Sequence, residues 1–199
     1  MVAKAWHLLV RGIDKTGLVR CTRNGPGAIK GSVLAANHPS LIDVVLLTCL
    51  YPNTFSIAKH TLRANPFIGS IVRRVFLPDD EALLDLAPDL LRKGYNILIF
   101  PEATRSPSPH DLRPFRRGAA QLAIRAQAPL VPIAISVNRQ ILAKGQPPTE
   151  VGAQTVHYNI TIAPPLQPLR GPADQTRQRA NLLTRQAQTC ITRLLESAR

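Results

Sequence analysis

Apolar residues in this chain are concentrated in short continuous runs, and the polar segments between them carry apolar side chains at helical spacing. Short runs of this kind are typical of strands buried on both faces, whereas spaced apolar positions are typical of amphipathic helices. The predicted strands are 32–36, 54–58, 96–100, 130–137 and 156–162. The predicted helices are 4–13, 40–50, 65–74, 79–94, 116–128 and the segment from 174 onward. Because strands alternate with helices, the pattern predicts an α/β fold in a single domain, with a mostly parallel central sheet flanked by helices.

Composition supports a folded protein. Of the 199 residues, 45% are hydrophobic, enough to bury a core, so disorder is excluded as a description of the whole chain. The longest apolar stretch, 41–50, contains Asp43 and is too short to span a bilayer. No apolar segment followed by a cleavage site is seen near the N-terminus, so we expect no signal peptide. A soluble or peripheral protein is predicted.

The three cysteines are odd in number and widely spaced, without any C-x-x-C pair. This pattern argues against a disulfide framework and against a structural zinc site, and it favours a reducing compartment. We therefore expect Cys21, Cys49 and Cys190 to be small buried hydrophobic residues.

The net charge of +13 is concentrated at the two ends of the chain. Residues 1–30 carry a net charge of +5 and residues 170–199 a net charge of +4, although each segment is only 30 residues long. Such basic ends favour an anionic partner, which could be nucleic acid, anionic lipid or an acidic carrier protein. We predict that 1–30 is a basic N-terminal segment with a membrane-docking helix, followed by one domain over 31–199 that ends in an amphipathic helix.

Several familiar motifs can be excluded. The sequence has no complete P-loop, no dinucleotide fingerprint and no G-x-S-x-G nucleophile elbow, and its five histidines lack metal-ligand spacing. Aromatic residues make up only 5% of the chain, which provides no stacking platform for nucleic acid. On charge alone, recognition of RNA or DNA stays open at this point.

Polar, reactive side chains follow the first predicted strand in the segment N-H-P-S-L-I-D, residues 37–43. The carboxyl ends of parallel strands are where ligands bind in open α/β sheets. His38 and Asp43 are spaced so that the carboxylate could orient the imidazole, which would leave the other ring nitrogen free as a general base. In the alternative interpretation, Asp43 only caps its helix and His38 is an ordinary loop residue.

A second polar segment, F-P-E-A-T-R-S at residues 100–106, follows another predicted strand. Its glutamate and arginine could form a solvated salt bridge. Alternatively, the planar guanidinium of Arg105 could bind a phosphate group.

Together the two segments resemble blocks one and three of the glycerolipid acyltransferases, most closely the 1-acylglycerol-3-phosphate acyltransferases. The pattern H-x-x-x-x-D is followed some sixty residues later by F-P-E-x-T-R. The stretches Ala58-Lys59 and 65–69 resemble the approach to the second block, and 130–135 resembles the fourth. The resemblance runs from residue 32 to residue 137 and implies the α/β fold of the glycerol-3-phosphate acyltransferases.

The resemblance also implies roles for individual residues. His38 would deprotonate the acceptor hydroxyl and Asp43 would orient His38, so that the alkoxide attacks the thioester of acyl-CoA or acyl-carrier protein. The residues implied at the acceptor site are Asn37, Lys59, Glu102, Thr104 and Arg105. No metal or organic cofactor is implied. The expected partners are a lysophospholipid or related lipid acceptor, an acyl thioester donor that could be an acidic acyl-carrier protein, and an anionic membrane surface, with no nucleic acid. We therefore expect a cytoplasmic protein that is peripheral on the inner face of the membrane.

Two departures from the family pattern affect these expectations. Ala103 replaces a glycine, so a backbone that needs positive φ would have to accommodate a methyl group. Asp79 and Asp80 stand where the second block ends in a basic residue. This weakens the expected phosphate site and leaves open a different acceptor, such as a lyso-aminolipid or a specialised lipid. A thioesterase and a non-catalytic basic binding module are the remaining alternatives.

Overall fold

A seven-stranded sheet forms the centre of the part of the chain that the computed structural model describes, residues 17–58, 76–78, 82–142, 152 and 154–198. The strands are β1 (Val19–Asn24), β2 (Val33–Ala36), β3 (Thr54–Ala58), β4 (Phe76–Pro78), β5 (Asn96–Ile99), β6 (Leu130–Val137) and β7 (Val156–Ile162). Their order across the sheet is β1-β7-β6-β2-β5-β3-β4. The helices are α1 (Asp43–Leu50), α2 (Ala82–Arg92), α3 (Gly118–Ala126) and α4 (Thr176–Glu196).

The predicted α/β fold with a mostly parallel sheet is confirmed. Every strand pairing in the described residues is parallel except that of β6 with β7. The central strand β2 is buried along its whole length between β5 and β6, as its continuous apolar run predicts. The predicted strands 54–58, 130–137 and 156–162 coincide with β3, β6 and β7.

The edge strand β1 was not predicted from the sequence. Only its first residue, Val19, is buried, and the next five are exposed, so the strand has no apolar pattern from which it could be predicted. It pairs in parallel with β7 over its whole length. The described part of the basic segment 1–30 therefore contributes a strand to the sheet. The predicted helices 4–13 and 65–74 lie outside the described residues.

Two apolar layers cover the sheet. One face packs against α1, and the other packs against α2, α3 and the first half of α4. The α4 residues that face the core recur at intervals of three or four, as helical spacing requires: Ala180, Leu183, Ala187, Ile191 and Leu195. The segment from residue 174 is thus the amphipathic helix that the sequence predicts.

The three cysteines are free thiols in different environments. Cys49 is buried as expected, and burial raises the pKa of its thiol to about 11. The expectation of burial is wrong for Cys21, which lies exposed on β1, and Cys190 is half-buried. No helix in the described ranges is both long and apolar enough to cross a membrane.

Candidate active site

The two polar segments singled out in the sequence lie side by side in the structure. β2 ends at Ala36 and β5 ends at Ile99, and these strands are parallel neighbours with Ala35 opposite Ile99. Their following loops, 37–43 and 100–106, therefore leave the sheet at the same edge. We call them the histidine loop and the glutamate loop.

His38 and Asp43 form a hydrogen-bonded pair within the histidine loop. Nδ1 of His38 lies 2.9 Å from Oδ2 of Asp43, and the Asp43 side chain is completely buried. Because an ionised carboxylate only accepts hydrogen bonds, this contact assigns the proton to Nδ1 and leaves the lone pair on Nε2. Nε2 makes no hydrogen bond to any described residue, and the His38 side chain is 15% exposed. The pair can therefore act as a base toward a molecule at the surface.

The helix α1 begins at Asp43, three residues later than predicted. The Ser40 amide donates a hydrogen bond to Oδ2 of Asp43 at 2.8 Å, so residues 40–42 form a turn that returns the carboxylate toward His38. One oxygen of Asp43 thus serves both the turn and the imidazole. The N-cap of α1 is Ile42 and has no side-chain hydrogen bond, so the carboxylate of Asp43 bonds the turn before the helix and the imidazole of His38.

Burial determines the electrostatics of Asp43. Desolvation raises the pKa of its carboxyl above the ordinary value of 3.8. The hydrogen bond and charge of His38 and the Ser40 amide lower this pKa, but they offset only part of the effect, and the charge of Glu102 raises it further. Asp43 Oδ1 is buried and has no hydrogen-bond partner among the described residues.

The imidazole ring is held on a second side by an aromatic contact. His38 stacks on Phe100, the first residue of the glutamate loop, with ring centroids 4.0 Å apart and planes inclined by 19°. The ring is therefore fixed by Asp43 at one edge and by Phe100 on one face.

Glu102 lies beneath the histidine loop and is only 4% exposed. Its Oε1 accepts hydrogen bonds from the His38 amide at 3.1 Å and from the Ser106 hydroxyl at 2.6 Å. Its Oε2 accepts a hydrogen bond from the Arg113 amide at 2.9 Å. The Ser106 amide also donates to the His38 carbonyl at 2.8 Å. Glu102 is predicted as part of the acceptor site, and in this structure both of its carboxylate oxygens accept hydrogen bonds from within the protein, one of them from the histidine loop.

Asn37 is also committed within the protein. Its side-chain amide donates to the Ile135 carbonyl at 2.8 Å, and its side-chain oxygen accepts from the Ile135 amide at 2.7 Å. Asn37 is 1% exposed and replaces one step of the ladder between β2 and β6. It fixes where the histidine loop departs from the sheet.

Arg105 and Thr104 occupy the outer part of the glutamate loop, and both are half-buried. Arg105 Nη1 donates a hydrogen bond to the Leu142 carbonyl at 2.6 Å. Lys59, which is also expected at the acceptor site, and the two acids Asp79 and Asp80 lie outside the described residues.

Ala103 adopts the left-handed conformation, with φ of +57°. Its amide donates to the Phe100 carbonyl at 3.0 Å, which closes a turn at the start of the glutamate loop. A side chain in this region costs about 1–2 kcal/mol. The position therefore has the geometry that favours glycine, and the alanine is accommodated under strain.

Ser106 and Gln140 support the loops without having been singled out as functional residues. Gln140 Nε2 donates to the carbonyls of Pro39 and Ser106, at 2.8 and 3.0 Å. Its position just after β6, the other neighbour of β2, was the signal that could have indicated it. The described residues include no cluster of histidine, cysteine or acidic side chains that could hold a metal ion.

Comparison with known proteins supports the family suggested by the motifs. The family model described as Acyltransferase matches residues 19–136. An uncharacterized acyltransferase of Schizosaccharomyces pombe is 34% identical over 133 residues, which cover 61% of this chain and 47% of that protein. The 1-acyl-sn-glycerol-3-phosphate acyltransferase of Neisseria gonorrhoeae is 31% identical over 121 residues, which cover 57% of this chain and 47% of that protein. The chain thus aligns with about half the length of these curated relatives.

A solved structure confirms the fold. The crystal structure of the 1-acyl-sn-glycerophosphate acyltransferase of Thermotoga maritima superimposes with a TM-score of 0.68 at 21% identity, covering 98% of this chain and 81% of that one. The matched family model spans both loops of the site and the strands that position them. The chain belongs to the acyltransferase family.

Proposed function

We propose that this chain is an O-acyltransferase that moves a fatty acyl group from a thioester to a hydroxyl of a lysophospholipid such as 1-acylglycerol-3-phosphate. The donor is acyl-CoA or acyl-carrier protein. The observation that carries the proposal is the His38–Asp43 pair, whose carboxylate is buried while Nε2 remains open to a substrate.

The proposed reaction needs one base and no covalent enzyme intermediate. Nε2 of His38 takes the proton of the acceptor hydroxyl as its oxygen attacks the thioester carbonyl. The tetrahedral intermediate collapses by breaking the C–S bond, and the departing sulfur receives the proton from the imidazolium. The products are one ester and one free thiol, and His38 returns to its starting state.

The fixed geometry of the loops supports this role. A base placed by Asp43 and Phe100 needs little reorganisation when the substrate arrives, and such bases contribute about 10²–10⁴ in rate. Glu102 holds the His38 backbone from below, so the imidazole is positioned through both its ring and its main chain.

The acceptor proposal rests on the curated relatives and on Arg105. Several relatives bear the name 1-acyl-sn-glycerol-3-phosphate acyltransferase. Arg105 stands on the loop bonded to His38, and its planar guanidinium, whose Nη1 also donates to the Leu142 carbonyl, is the group proposed to bind the acceptor phosphate. The competing acceptor class, a lyso-aminolipid or a specialised lipid, is favoured by the two acids at 79 and 80.

We further propose that the enzyme works at an anionic membrane surface, as a peripheral protein on the inner face. Leu41, in the histidine loop itself, is 54% exposed, although it is a large apolar residue. Arg113 and Arg116 are exposed on the segment after the glutamate loop. Each arginine near an anionic surface contributes about 1 kcal/mol, so binding to anionic vesicles should weaken steeply with salt.

The test offers acyl-CoA and acyl-carrier protein as donors to a panel of lysophospholipids and lyso-aminolipids. Thiol release is measured and the lipid product is identified by mass spectrometry. Thiol release without an acylated lipid would indicate a thioesterase, and neither product would indicate a binding module. His157→Ala, at an exposed histidine on β7, is the matched control for His38→Ala.

A further inference from the structure

Two buried polar atoms near the site have no partner in the described part of the chain. They are Oδ1 of Asp43 and the hydroxyl oxygen of Tyr158. Asp43 is completely buried and Tyr158 is 1% exposed. A buried polar group without a hydrogen bond is destabilising, so two of them in one region require an explanation.

Tyr158 lies on the face of the sheet that α1 covers. It sits on β7 opposite Val137, at the carboxyl end of β6, and it belongs to the same core cluster as Leu46 and Leu47 of α1. Asp43 is the first residue of that helix. The phenol and the carboxylate therefore approach the same end of α1 from two different elements.

The pKa of Tyr158 responds to both Asp43 and Ser40, in agreement with the positions of the phenol and the carboxylate in the fold. Burial raises the pKa of Tyr158 most, the Asp43 charge raises it further, and the Ser40 hydroxyl lowers it. Ser40 lowers this pKa as a hydrogen-bonding group, although the Tyr158 hydroxyl makes no hydrogen bond of standard length and angle to a described residue. Among the described residues, the other titratable groups acting on this pair are His38 and Glu102, which face Asp43, and Cys21, which faces Tyr158.

We propose that Tyr158 is a positioning residue for the acyl transfer proposed above, acting through Asp43. Its hydroxyl donates to one buried water, which in turn donates to Oδ1 of Asp43 and to the Ser40 hydroxyl. Three polar partners are the usual number for a buried water. This link provides both unpaired atoms with a hydrogen bond and joins β7 to the His38–Asp43 pair.

The consequence for catalysis follows from the charge of the carboxylate. Oδ2 of Asp43 is already shared by His38 and the Ser40 amide. A further hydrogen bond at Oδ1 stabilises the ionised form, and its loss raises the proton affinity of the His38–Asp43 pair as a unit. The pair then takes up a proton at a higher pH.

Tyr158→Phe tests the proposal, with Tyr51→Phe as its matched control. Tyr51 is an equally buried tyrosine at the other end of α1, and its hydroxyl donates to the Pro26 carbonyl at 2.9 Å. In Tyr158→Phe we expect the acid limb of the pH profile to rise by about half a unit, so that kcat on this limb falls about threefold with little change in KM. A profile that is unchanged, or that shifts equally in Tyr51→Phe, overturns the proposal.

A second measurement does not depend on knowing the acceptor. The proton on Nδ1 of His38 is observed by proton NMR and assigned by its absence in His38→Ala. Its signal should move in Tyr158→Phe and stay in place in Tyr51→Phe, and an unmoved signal in Tyr158→Phe contradicts the link. If the signal moves but the unmodified enzyme acylates no acceptor, the link stands and the proposed function fails.

Ser40→Ala provides the same test should Tyr158→Phe not fold. It removes the other hydroxyl that holds the proposed water, so the Nδ1 signal should move in the same direction by a smaller amount. An unmoved signal in Ser40→Ala would equally overturn the proposal.

Discussion

The histidine loop and the glutamate loop leave adjacent strands at the same edge of the sheet, yet they have opposite effects on the stability of the protein. The histidine loop contains a completely buried carboxylate with one oxygen unpaired among the described residues, an arrangement that lowers stability. In the glutamate loop both oxygens of Glu102 are bonded, and they hold three groups in place. The groups proposed for proton transfer therefore lie in the histidine loop, while the glutamate loop supplies the rigidity that they require and the Arg105 proposed for acceptor binding.

Of the substitutions that test these two roles, His38→Ala is expected to have the largest effect on acyl transfer. Without the base, kcat for acyl transfer should fall by about 10²–10⁴, because proton removal from the acceptor is no longer assisted. The glutamate loop is untouched, so added imidazole should occupy the space beside Asp43 and restore part of the activity. Turnover that is unchanged in His38→Ala would remove His38 from the mechanism.

Glu102→Ala should affect stability as well as activity. It leaves the Arg113 amide and the Ser106 hydroxyl without their acceptor, and it leaves the His38 amide with only its bond to the Ser106 hydroxyl oxygen at 3.2 Å. This loss should lower the free energy of unfolding by about 2–4 kcal/mol. Urea denaturation measures this loss, and Glu196→Ala, at an exposed acid near the end of α4, is the control. Imidazole should not restore activity here, because the base is present but misplaced. A stable Glu102→Ala protein with a raised KM for the acceptor alone would instead assign Glu102 to substrate binding.

The positions of the histidine loop and the glutamate loop could be predicted from the sequence, but the different tasks of their side chains could not. Continuous apolar runs identify β2 and β5, and the polar residues after them identify the site. The roles of Glu102 and Asn37 could not be predicted, because a buried polar residue that bonds the backbone has the same sequence pattern as one that binds a ligand. Strand β1 has neither an apolar run nor alternation, since it is exposed at the sheet edge.

The pH dependence of the free energy of unfolding tests how much the buried carboxyl of Asp43 destabilises the protein. The pKa of Asp43 in the folded protein lies above its ordinary value of 3.8, so the folded state binds more protons between these two values. The stability contributed by the neutral carboxyl is therefore present below the unfolded pKa and is lost as the pH rises through the folded pKa.

Asp43→Asn removes this titration. The free energy of unfolding of the unmodified protein, relative to Asp43→Asn, should fall as the pH rises above about 4 and then level off. Urea denaturation between pH 4 and 8 measures the difference, with Asp174→Asn as the control for removing an exposed negative charge. A difference that grows in favour of the unmodified protein would mean that pairing with His38 outweighs burial.

The smallest effect concerns the strain that the glutamate loop itself contains. Ala103 has a φ of +57°, where glycine is preferred, so Ala103→Gly should raise the free energy of unfolding by about 1 kcal/mol. Ala126→Gly, in the last turn of α3, should lower it by a similar amount, because there the backbone is helical. If the loop only supports His38, kcat and KM should be unchanged in Ala103→Gly. A gain in stability combined with a higher KM for the acceptor would mean that the methyl group contacts the lipid, and Ala103 would then bind the substrate in addition to the contact proposed for Arg105.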